Sequence, residues 1–166
     1  MKHPLCIVHW GMPKTGSTSI QATLMEASPL VGGTFLNVGV GNSSRLLATL
    51  FMDDPRDFHL NRRWKIDPQA LAEERQRAMT LLDRQIAKAG PGPCIVSAEV
   101  VSTLDEAALL RMRDWLAERF DDWRFVGYVR PPRGYLESEF QQKIKAGRKH
   151  FAPDKNYPGY ARSEEH

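Results

Sequence analysis

The 166-residue sequence has only two cysteines, Cys6 and Cys94, at no spacing that suggests a zinc site. Each sits within a short apolar run, so both are expected as buried free thiols. An excess of one charge is also missing. Lys and Arg total 23 against 20 Asp and Glu, a net charge of +3, with the basic residues dispersed among the acidic ones. That balance argues against a nucleic-acid partner or an anionic membrane surface, while leaving room for a local basic pocket around a small anion. No apolar run approaches membrane-spanning length. Residues 5–10 are too short for a signal-peptide core and are interrupted by His9, so a cytoplasmic protein is expected. Repeats, biased tracts and dividing linkers are absent as well. With 42% hydrophobic and 26% charged residues, the chain reads as a single globular domain over 1–166, long enough to bury a core.

What is present is an alternation of strand and helix signals. Residues 5–10, Leu-Cys-Ile-Val-His-Trp, form a short, largely apolar run of the kind found in buried parallel strands. After a break over residues 11–16, a helical period begins at Ser17, with Ile20, Leu24 and Ala27 on one face and Ser28-Pro29 closing it. Residues 34–38 read as a second strand, and Asn42 or Ser43 can cap a short helix carrying Leu46, Leu47, Leu50 and Phe51. Residues 52–66 read as a polar surface loop. Asp67 is an N-cap, Pro68 suits the first helical position, and Gly90 suits the stop of a helix striped with Leu71, Ala78, Leu82 and Ile86. Residues 94–97 read as a third strand. Ser102 or Thr103 would cap the next helix, burying Leu109, Met112, Leu116 and Phe120. Asp121-Asp122 turns into a fourth strand over 123–129, and residues 134–146 read as a last helix ending at Gly147. The tail, 148–166, shows no period. The expected fold is a three-layer, P-loop-like α/β domain, with a parallel sheet of four to five strands flanked by helices.

In such a sheet, ligands bind where strand ends meet helix N-termini, and unpaired N–H groups there favour anions. Pro13-Lys14-Thr15-Gly16-Ser17-Thr18-Ser19 occupies that place after the first strand. Gly16 allows close backbone approach, Ser17, Thr18 and Ser19 offer hydroxyls, and Lys14 offers a mobile charge. A Walker A loop needs lysine directly after its second glycine. Gly11 and Gly16 have that interval, but Ser17 stands in the lysine position, which disfavours triphosphate chemistry.

The loop resembles the 5′-phosphosulfate loop of the sulfotransferase superfamily, and the neighbouring Ile20-Gln21 resembles its bacterial branch. A second block, Tyr128-Val129-Arg130-Pro131-Pro132-Arg133-Gly134-Tyr135-Leu136-Glu137-Ser138, resembles that family's 3′-phosphate segment, a strand-terminal arginine followed by a helical serine. An arginine suits that role because its planar fork can grip phosphate bidentately. Arg133 is an assistant or a solvated charge. The match extends from about Val8 to Gly147.

The resemblance implies 3′-phosphoadenosine 5′-phosphosulfate as co-substrate, no metal, and a small-molecule or glycan acceptor. By resemblance, Lys14 stabilises the leaving phosphate and the sulfuryl group, residues 13–19 hold the 5′-phosphate, and Arg130 with Ser138 holds the 3′-phosphate. Glu99, at the end of the third strand, is the first choice of general base, standing where cytosolic relatives place a histidine. His59 in the polar loop is the second choice. His9 is expected to pack or orient neighbours, and His3, His150 and His166 to be terminal or exposed. Relatives continue beyond the point where this chain ends. A missing C-terminal portion is therefore expected, with self-association to cover the helix faces it leaves. Two alternatives stay open: a catalytically defective nucleotide-binding module of the same fold, and a small-molecule kinase with a degenerate P-loop.

Overall fold

A computed structural model describes residues 2–11, 15–145 and 147, with the side chains of Glu139 and Lys143 outside the description. The chain divides into two compact units, one ending at Val129 and the other beginning at Arg130. In the first unit the elements run β1 (His3–Gly11), α1 (Ser17–Glu26), β2 (Thr34–Phe35), α2 (Ser44–Phe51), α3 (His59–Arg63), α4 (Pro68–Ala87), β3 (Cys94–Ser97), α5 (Glu106–Arg119) and β4 (Phe120–Tyr128). The strands form one parallel sheet in the order β2-β3-β1-β4. The second unit holds α6 (Pro132–Lys145). The expected α/β class with a parallel sheet is therefore present, with four strands among the described residues.

Helices lie on both faces of the sheet. Alternation along a strand sends Cys6 and Val8 of β1, with their register partners Cys94 and Val96 of β3, to one side. All four are buried there in a single cluster with Leu47 of α2, Leu82 of α4, and Met112 and Leu116 of α5. Burial pushes the Cys6 thiol up to about 12, helped by neighbouring Cys94, and the Cys94 thiol up to about 11, so both are unreactive free thiols as expected. The opposite face carries His9 and Ser97 and is met by α1, the third layer. No helix among the described residues is long and apolar enough to cross a membrane.

Local chemistry explains where elements begin. Asp67 Oδ1 accepts from Gln69 N at 2.8 Å and Ala70 N at 3.3 Å, capping α4 with Pro68 at its first position, as the sequence predicts. The start of α5 differs from expectation. Ser102 and Thr103 form part of a 3-10 turn, Glu99–Thr103, where their hydroxyls bond back to Glu99 O and Val100 O, and Asp105 caps the helix instead. Met112, Leu116 and Phe120 are buried as expected, whereas Leu109 is exposed and Trp115 is buried in addition. Residues 52–66 are also more regular than a surface loop, because Asn61 is buried at the centre of α3. It donates to Pro55 O at 2.8 Å and Thr49 Oγ1 at 3.3 Å, and accepts from Arg45 Nε at 2.8 Å. His3, expected to be exposed, is buried with Nε2 2.9 Å from Gly90 O and its ring edge-on to Phe120. Asp121 and Asp122 lie within β4 rather than in a turn before it, which the sheet tolerates because this edge strand is largely exposed. The tail at 148–166 lies outside the described residues.

Candidate functional site

Gly16 sets the geometry between β1 and α1. Its φ of +87° lies in the left-handed region that glycine reaches without strain, and it turns the chain directly into the helix. Gly16 has no side chain to cap with, and its carbonyl accepts from Ser19 N and Ile20 N. The helix itself therefore leaves the N–H groups of Ser17 and Thr18 unpaired at its positive end. The first turn contains no acidic residue.

The sequence predicts an apolar face of Ile20, Leu24 and Ala27 for α1, but the helix buries Ser17 and Gln21 instead. Ile20 and Leu24 are half-buried, and Ala27 lies exposed just past the helix end. Ser17 and Gln21 are one turn apart and share a face. Both are spoken for by the end of β3: Ser17 Oγ donates to Glu99 Oε1, and Gln21 Nε2 donates to Ser97 Oγ at 3.1 Å. The polar stripe exists because α1 packs over strand ends that carry polar groups. Ser97 Oγ is also 2.7 Å from His9 Nδ1, while His9 O accepts from Ala98 N at 3.0 Å. His9, Ser97, Gln21, Ser17 and Glu99 thus form one polar layer between α1 and the sheet.

His9 orients its neighbours, as expected, and it is buried. Burial holds its imidazole below the ordinary value of 6.5, while the Glu99 carboxylate pulls it partly back up. Its Nε2 is buried with no hydrogen-bond partner among the described residues. Glu99 is half-buried, and Ser17 holds its Oε1, which leaves Oε2 as a further hydrogen-bond acceptor.

Among the sequence-predicted site residues, Ser17 and Glu99 come together, with Gly16, Thr18 and Ser19 on the same turn. Thr15 lies beside Gly11, whose missing side chain leaves room for its hydroxyl. Pro13 and Lys14 lie outside the described residues. His59 is exposed at the start of α3 with its ring against Phe58, and it makes no hydrogen bond to Glu99 or α1. In the second unit, Arg130 precedes α6, and its Nε lies 3.1 Å from where a Gly134 side chain would begin. Ser138 follows Gly134 by one turn, on the same helical face. Arg133 is exposed and bonded to Glu137 at 3.0 Å. The residues that sequence reasoning missed are Ser97 and Gln21. A serine before Ala-Glu and a glutamine inside a helix give no local signal of meeting, since they are 76 residues apart.

Among the described residues, no group of three or more His, Cys, Asp or Glu could hold a metal ion. Comparison of the chain with protein-family models, curated proteins and solved structures finds no match.

Proposed function

We propose that the chain is a sulfotransferase. It binds 3′-phosphoadenosine 5′-phosphosulfate at the start of α1 and transfers the sulfuryl group to a hydroxyl or amine, a carbohydrate being the first acceptor class to try. The observation that carries this reading is the meeting of Ser17 and Glu99 at a helix N-terminus with unpaired N–H groups. One segment supplies anion-binding donors, and its neighbour supplies a carboxylate with an oxygen to spare. In the transfer, an acceptor oxygen or nitrogen bonds to sulfur while the bond from sulfur to the 5′-phosphate oxygen breaks. The acceptor proton passes to Glu99, and adenosine 3′,5′-bisphosphate leaves. The family pattern gives Lys14 the departing charge and gives Arg130 with Ser138 the 3′-phosphate. His59 ranks below Glu99 as base because it is exposed and unconnected to α1.

Transfer of labelled sulfate to a glycan panel tests the reading. Glu99→Gln should lower turnover by about 10²–10⁴-fold, with little change in bisphosphate affinity. Unchanged turnover would remove Glu99 from the mechanism.

A second reading rests on the same pair. A phosphate-loop hydroxyl joined to a carboxylate at a strand end is also how P-loop enzymes hold Mg²⁺ against a nucleotide. A kinase built this way would require magnesium and prefer ATP, whereas the sulfotransferase reading requires neither.

A further inference from the structure

The first unit contains a cavity of about 470 Å³ that shares none of its lining residues with the Ser17–Glu99 site. That volume falls within the range of small-molecule sites, about 300–1,000 Å³. Its floor is apolar and buried, formed by Leu46 of α2 and Ala78 of α4, with half-buried Leu60 of α3 beside them. Its rim is apolar yet exposed: Val40 at 51%, Leu81 at 38% and Trp64 at 56%. Apolar side chains converging around a hollow while still facing water mark a surface suited to an apolar ligand.

The charges along the lining narrow the ligand class. Arg45 is neutralised, with Nη2 2.6 Å from Glu74 Oε2, Nη1 on Glu74 Oε1, and Nε on Asn61. Its guanidinium carbon lies 5.2 Å from the Trp64 ring centre, which holds the indole as a flat wall. Arg77 differs. Among the described residues its only ion pair is the 3.4 Å contact with Glu73, between two largely exposed side chains and weak in water. Asn42 uses Oδ1 to accept from Ser44 N at 2.9 Å, which leaves its amide N–H groups as donors at the rim. The wall at 38–42 is also fixed in place. A side chain on Gly41 would begin 2.9 Å from Gln21 O of α1, so the two backbones pack directly.

We propose that this cavity is a binding site for an organic anion with an apolar ring body, the ring lying against Trp64 and the floor, and the acidic group meeting Arg77 and Asn42. The site is separate from the nucleotide reading and does not depend on it.

Fluorescence titration of the full chain with 1-anilinonaphthalene-8-sulfonate tests the proposal. Saturable one-site binding is expected. It should weaken about fivefold in Arg77→Ala, the loss of one exposed charge-assisted contact. Leu81→Glu, an exposed rim position, should weaken it more than tenfold without shifting the thermal midpoint, by adding a like charge at the mouth. Adenosine 3′,5′-bisphosphate should leave the bound probe in place, and 2-naphthoate should displace it where decanoate does not. Equal binding to both variants, or loss of binding in Phe125→Ser on exposed β4, would overturn the proposal. Displacement by the bisphosphate would overturn the separate site, and displacement by decanoate would overturn the ring assignment.

Discussion

The two faces of β1 and β3 are built to opposite rules, although neighbouring residues of the same strands supply both. On one face Cys6, Val8, Cys94 and Val96 are buried within one cluster of apolar side chains. On the other, His9 and Ser97 meet Gln21, and the next turn brings Ser17 to Glu99. Apolar burial stabilises in proportion to area, whereas each buried polar group must find a partner merely to offset its lost hydration. A fold selected for stability alone would make both faces alike. The polar face instead sits under α1, whose N-terminus has no side-chain cap, and it is the face on which the proposed function rests.

Three substitutions or conditions separate the faces, beginning with the largest effect. Leu116→Ala empties space on the closed face and should cost about 2–5 kcal/mol, read from the urea midpoint. Bisphosphate affinity of the folded fraction should be unchanged. Gly16→Ala places a side chain at φ +87° and should cost about 1–2 kcal/mol by the same assay, with a clear fall in anion affinity. If affinity holds, the turn does not shape the anion site. The smallest effect is on pH dependence. His9 has a folded-state pKa below 6.5, so the unfolded chain binds the proton more readily as pH falls. Its contribution is fully present above about pH 6.5 and is lost as pH drops from there through the lower folded value. Thermal midpoints should fall on acidification through that window, and more steeply in the wild type than in His9→Gln.

The legible parts of this chain are those specified by neighbours in sequence. β1 and β3 follow from short, largely apolar runs, and α4 from Asp67-Pro68, because a cap acts within its own first turn. Elements decided by distant partners were not legible. α3 is polar in sequence and forms because Asn61 finds Thr49, Pro55 and Arg45. Ser102 and Thr103 look like caps, yet their hydroxyls bond within the preceding turn and leave the capping to Asp105. The candidate site divides the same way. Gly16 and the hydroxyl cluster are visible as a loop motif, while the bond between Ser17 and Glu99 joins residues 82 positions apart. The buried Gln21 was hidden by an apolar period that α1 does not use.

The central claim is that the turn into α1 takes a 3′-phosphorylated adenosine nucleotide without a metal. Calorimetric titration with adenosine 3′,5′-bisphosphate in the presence of a chelator, beside ATP with magnesium and AMP, tests it most directly. The account predicts selective binding of the bisphosphate, and because the family pattern gives the 3′-phosphate to Arg130, Arg130→Ala should weaken it about tenfold or more. Preferential binding of ATP with magnesium, or no response to the bisphosphate, would contradict it.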